Sequence, residues 1–134
     1  MKKQLSNEEL NIILPMLIKV FKKTSPYKTL RAVEIVKGMN RKRIEDGKFK
    51  SVFTEAMLRR MSNYIRTNGI LPLIADSNGY YISNDISDID TQIQSLKDRI
   101  AGMESAIRGL YNYKTELLDK SNGDPFGISS TEWI

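Results

Sequence analysis

Residues 58–85 read LRRMSNYIRTNGILPLIADSNGYYISND, and the apolar period changes inside this run. Met57, Leu58, Met61 and Ile65 recur at helical spacing, with Thr54 placed to cap the helix and Glu55 in its first turn. Asn68-Gly69 ends that helix, with Gly in the left-handed position a helix end favours. From 70 to 83 the period falls to two. Leu71, Leu73 and Ala75 alternate with Pro72 and Ile74, Asp76-Ser77-Asn78-Gly79 supplies a turn, and Tyr80-Tyr81-Ile82 returns. Pro72 lacks a backbone donor, so the first strand is expected at the edge of a small sheet. The two tyrosines point to opposite faces of the strand, so one ring can pack inward and the other outward, and core packing is expected for at least one of them.

Downstream of the hairpin the pattern becomes a heptad. Ile86, Ile93, Ile100 and Ile107 fall seven apart, and Ile89, Leu96, Met103, Leu110 and Leu117 follow three residues later. Ile in the first register with Leu mostly in the second favours two parallel strands. In that arrangement Arg99 lies five residues before the partner helix's Glu104, an attractive pair flanking the seam. Other oligomers, or a helix folding back on its own domain, remain open. Ser87 or Asp88 is the expected helix start, and the helix should run to about residue 120 before a loose tail over 121–134. Lys114 takes a seam position beside Tyr111 and Tyr113, where the seam should loosen.

Upstream, Ser6 with Glu9 makes a capping box for a helix over 6–23, whose apolar stripe is Leu10, Ile13, Leu14, Leu17, Ile18 and Phe21. Pro15 should kink or interrupt it. A break at Thr24-Ser25-Pro26 and a short extended piece over 27–30 follow. Ala32, Ile35, Val36 and Met39 then mark a second helix. Residues 40–51 read as the least structured stretch, holding Arg41, Lys42 and Arg43 at a helix end and then a mobile loop.

The charge is divided along the chain. Residues 1–69 hold 16 Lys and Arg against 6 Asp and Glu, a balance of +10, and residues 70–134 hold 5 against 10, a balance of −5. A basic part joined to an acidic, self-associating part points to a polyanion as partner of the first part. The plainer alternative is that the cations solvate helix faces. Cys and His are both absent from the chain, which excludes disulfides, thiolate or imidazole metal sites and Cys- or His-dependent catalysis. No catalytic residues, metal or cofactor are expected, because the acidic residues are scattered with no nucleophile or ligand set beside them. No stretch has signal-peptide or membrane-span character, so a cytoplasmic protein without membrane contact is expected.

Helix, short extended piece, helix, basic helix and hairpin form the order of a winged helix-turn-helix domain, with the third helix entering the major groove and the hairpin as wing. The expected fold is therefore mostly α with a small β-hairpin: a winged helix-turn-helix domain over 1–85, a coiled-coil oligomerisation helix over 86–120, and the tail. Arg can donate two bonds to guanine and Asn can pair with adenine. That makes Arg59, Asn63 and Arg66 candidate base readers and Arg60, Thr67, Arg41, Lys42 and Arg43 candidate phosphate contacts.

The run 58–85 followed directly by a heptad helix resembles winged-helix proteins of bacteriophages and related mobile elements. Those carry an Arg-rich third helix, a Gly, a short strand, a Gly-Tyr-Tyr-type return strand and a long regular helix in this order. The resemblance covers roughly residues 30–118. It implies DNA binding in regulation or replication, within the cytoplasm of a bacterial host, with Arg59, Arg60, Asn63 and Arg66 as the matching contact positions. The chain departs from the pattern in the length of the 40–53 connection and in Pro15. A rival from another class is a structural or assembly adaptor, or an inhibitor, that uses both parts for protein contacts.

Overall fold

A π-helical turn, Glu9–Ile13, opens the chain's first helical segment and passes directly into α1, Leu14–Lys22. This is what Pro15 does to the expected helix. Proline has no N–H to donate and its ring crowds the carbonyl four residues back, and one wider turn relieves both. Leu14 N–H accordingly donates to Glu9 O, five residues back. The capping box forms as expected: Ser6 N–H donates to Glu9 Oε1 at 2.9 Å and Glu9 N–H to Ser6 Oγ at 3.1 Å. The computed structural model describes residues 4–123.

The helix α2 spans Ala32–Asp46, longer than the sequence suggests. Arg41, Lys42 and Arg43 lie in its last turns, at a helix end as expected, and the loop begins only at Gly47. Gly47, at φ 63°, ends it. Two contacts hold the following loop. Asn40 accepts from Phe53 N–H at 2.8 Å and donates from Nδ2 to Phe53 O at 2.9 Å. The Glu8 carboxylate accepts from Lys50 N–H, Ser51 N–H and the Ser51 hydroxyl. The Ser51 hydroxyl first, then the Lys50 amide, hold the Glu8 carboxyl below the ordinary glutamate value. The loop therefore delivers Phe49 and Phe53, 2% and 1% exposed, to the core.

Next comes α3, Glu55–Thr67, capped by Thr54, whose hydroxyl accepts from Met57 N–H, and closed by Gly69 at φ 62°. Its stripe Met57, Leu58, Met61 and Ile65 packs with Ile13, Leu14, Leu17 and Phe21 of the first segment and Ile35 and Met39 of α2. Strands β1, Leu73–Asp76, and β2, Gly79–Ile82, pair antiparallel with Leu73 opposite Ile82 and Asp76 opposite Gly79. Leu30 adds a further bridge on the other side of β2, exchanging both backbone bonds with Tyr80 at 3.0 and 2.7 Å. So β1 is the edge, as Pro72 requires. Tyr80 stacks on Phe21 with ring centroids 5.8 Å apart. Tyr80 is half-buried against the core, and Tyr81 is buried with its hydroxyl donating to Asp76, so the core packing expected of at least one of them is seen.

The turn forms over the expected residues, Asp76 to Gly79. Its two central residues are Ser77 and Asn78, and Asn78 keeps a negative φ while its N–H donates to the Asp76 carboxylate. Gly79 belongs to the strand, at φ 124°, where any Cβ would lie 2.5 Å from Leu30 O. Close approach of the Leu30 backbone, and not the turn itself, demands glycine there.

The last helix, α4, runs Ile86–Gly123. It starts before the expected Ser87 or Asp88, because the Asp85 carboxylate accepts from Ser87 N–H. The first compact unit continues into this helix as far as Gln92, and the second begins at Ile93. Within the first unit, Asp88 accepts from the Ser83 hydroxyl and Gln92 Oε1 accepts from Ala75 N–H. Ser121 lies in the helix, and residues 124–134 of the expected tail lie outside the described residues.

Candidate nucleic-acid interface

One stripe of α3 is left to solvent: Ala56, Arg59, Asn63 and Thr67, spaced three, four and four residues apart. It lies opposite the buried stripe. Thr54 and Gly69 fix its two ends, so the stripe is presented by a capped helix seated on the core. Arg59 and Asn63 are thus placed where ligand contact is open to them.

The other two arginines of this helix are not on that stripe. Arg60 forms an ion pair with Glu9, with side-chain exposures of 24% and 9%. Burial pushes the Glu9 carboxyl up, but the Ser6 amide and the Arg60 charge outweigh it and hold the group below the ordinary value. Arg60 therefore ties α3 to the π turn. Arg66 is half-buried, and its Nε donates to Leu73 O at 2.9 Å. Leu73 O and Ala75 N–H, two residues apart on β1, are taken by Arg66 and Gln92. Those two side chains close the outer edge of β1 against pairing with another strand. Ser62, on the same helix, is 1% exposed and belongs to the interior.

A second group of cations lies on α2 and the loop after it. Lys37, Arg41 and Lys42 are exposed, with Lys48 and Lys50 just beyond the helix. Arg43 is half-buried and its Nε donates to Asn40 Oδ1, so it supports the Asn40 clamp on Phe53. Lys37, Lys48 and Lys50 were not singled out from sequence. For Lys48 and Lys50 the signal is the run Lys48-Phe49-Lys50, whose central ring is buried while both flanking lysines stay outside; Lys37 has none.

The second unit is helix alone over the described residues. Its heptad positions are open in the single chain: Ile93 is 45% exposed, Ile100 53%, Met103 58%, Ile107 52%, Leu110 71% and Leu117 45%, and Leu96 is half-buried. Lys114 lies over the Tyr111 ring, 5.9 Å from its centroid. Of the two heptad residues that precede Ile93, Ile86 is exposed and Ile89 half-buried within the first unit. Among the described residues there is no cluster of acidic side chains arranged to hold a metal ion, and no helix is long and apolar enough to cross a membrane.

Comparison with protein-family models, with curated proteins and with solved structures finds no match to the chain.

Proposed function

We propose that the chain is a self-associating, non-enzymatic DNA-binding protein built as a winged helix-turn-helix followed by a coiled coil. The observation that carries this reading is the solvent stripe of α3, which presents Arg59 and Asn63, side chains suited to guanine and adenine edges, from a capped helix. Lys37, Arg41, Lys42, Lys48 and Lys50 are exposed on α2 and its loop and would neutralise phosphates. The hairpin after α3 would serve as the wing. Regulation or replication of a phage-type element is the role the sequence resemblance implies, and a bacterial cytoplasm is the matching location.

Self-association rests on the energetics of the second unit. A lone helix gains nothing from its apolar stripe, and Gly102 and Gly109 each cost it about 1 kcal/mol relative to Ala. Pairing two copies along Ile93, Leu96, Ile100, Met103, Ile107, Leu110 and Leu117 supplies the missing burial. Replacing Ile93 and Ile100 with Asp would place charges in that seam and should yield monomers. Sedimentation of the wild type as a monomer at about ten micromolar, where a coiled coil of several heptads still associates, would remove this part of the reading.

The test of DNA recognition is selection of bound duplexes from a random pool, followed by affinity measurement on the enriched site. Arg59→Ala and Asn63→Ala should each cost about 1–3 kcal/mol on that site and relax preference at one position. Arg41→Ala and Lys42→Ala should lower affinity evenly for all sequences. Unchanged affinity in the Arg59→Ala, Asn63→Ala double variant would shift the reading to the adaptor, with the α4 seam as its contact surface.

A further inference from the structure

Between Leu10 and Val33 the chain has no acidic residue, and it carries Lys19, Lys22, Lys23, Lys28 and Arg31. Lys19, Lys22 and Lys23 lie at i, i+3 and i+4, on one side of the last turn of α1, and all three are exposed. No described carboxylate forms an ion pair with them or with Lys28. Directly after them, Ser25 and Lys28 exchange both backbone bonds, at 3.1 and 2.9 Å, and Tyr27 N–H donates to Ser25 Oγ. This closed turn holds Tyr27 at its tip, 99% exposed. Thr24 anchors the base of the turn: its hydroxyl donates to Phe21 O and accepts from Ile82 N–H.

A ring held out on an ordered turn, flanked in the chain by Lys22, Lys23 and Lys28, is a stacking platform in a basic stretch. We propose that the end of α1 and the turn at 25–28 form a second nucleic-acid surface, specific for single strands. Tyr27 stacks on one base, and Lys19, Lys22, Lys23 and Lys28 contact the flanking phosphates. A duplex keeps its base faces stacked on one another, so only an unpaired strand offers the ring a partner. A single strand is favoured over a protein or membrane partner because the chain from Lys19 to Arg31 carries five cations and no acidic residue, and Tyr27 is the one large apolar side chain exposed in that stretch. The proposal does not depend on the α3 stripe.

The test uses the full chain and fluorescent oligonucleotides of about 20 nucleotides, long enough to span a single-strand site. Single-stranded DNA, RNA of the same sequence and the matching duplex are titrated in parallel. Tyr27→Ala should weaken single-strand binding about tenfold, the effect of losing one stacked base. Tyr27→Phe should retain it, since the ring and not the hydroxyl stacks. Equal affinity for DNA and RNA would assign the contact to base and phosphate, and a preference for RNA would add a 2′-hydroxyl contact. Either result supports the surface. Both variants should fold, because Tyr27 touches nothing in the core, and circular dichroism checks this. Arg59→Ala should leave single-strand binding unchanged while weakening duplex binding, which separates failure here from failure of the α3 reading. Equal single-strand affinity of Tyr27→Ala and wild type, or no single-strand binding by the wild type, overturns the proposal. Loss in Tyr27→Ala of binding to phosphatidylserine vesicles, with single-strand binding intact, also overturns it in favour of a lipid surface.

Discussion

Gly79→Ala is expected to lower the free energy of unfolding by about 3 kcal/mol or more, combining backbone strain with a forced displacement of neighbours. At φ 124° an L side chain is strained, and its Cβ would meet Leu30 O at 2.5 Å and Leu30 C at 2.8 Å. The atoms in the way are backbone, so no rotamer change relieves the contact. Relief needs the Leu30 backbone to leave Tyr80, breaking both bonds of that bridge and loosening the stack of Tyr80 on Phe21. Gly69→Ala is the control. Gly69 also has positive φ, at 62°, but open space around its Cβ position, so only the strain should appear, about 1 kcal/mol. Urea unfolding monitored by circular dichroism separates the two. If Gly79→Ala costs no more than Gly69→Ala, the close approach of the Leu30 backbone is not what fixes glycine at this position.

Arg60→Ala should destabilise the first unit by about 2–3 kcal/mol, somewhat less than a fully buried pair, since Arg60 keeps 24% exposure. The loss leaves the Glu9 carboxylate, 7% exposed as a residue, without its cation. Arg59→Ala, one residue earlier and exposed, should change stability by less than about 0.5 kcal/mol. The functional effects should run the other way, with Arg59→Ala weakening DNA binding at full stability. An Arg60→Ala variant that is fully stable and fails to bind DNA would restore Arg60 to the contact set.

These two cases show where the sequence was informative and where it was not. Local signals were read directly: the Ser6–Glu9 capping box, the Thr54 cap, Gly69 at the end of α3 and the period-two hairpin all form between residues close in the chain. The signals that failed depend on partners far away in sequence. Arg60 meets Glu9 across 51 residues, and nothing in the run Leu58-Arg59-Arg60 distinguishes the arginine that pairs from the one left in solvent. Arg66 is drawn to Leu73 O because an edge strand needs its outer groups satisfied, a demand visible only once β1 is placed. The stretch 40–51 looked unstructured because it is polar and charged. It is ordered by Asn40 on Phe53 and Glu8 on Lys50 and Ser51, across 13, 42 and 43 residues. Phe49 and Phe53 carry no core signal in the sequence, because neither belongs to a periodic run. The heptad is plain throughout, because its period is carried by residues seven and three apart in the chain.

The most direct test of DNA binding by this chain is the affinity of the full-length protein for a mixed-sequence duplex as a function of salt. With Lys37, Arg41, Lys42, Lys48, Lys50 and Arg59 exposed, engagement of even half of them should give a slope of log K against log salt of about −3 or steeper. Arg41→Ala combined with Lys42→Ala should then flatten that slope by about 2. No measurable duplex binding at low salt, or binding whose salt slope is unaffected by removing those two cations, would rule out phosphate neutralisation by α2 and leave the chain as a protein-contact module.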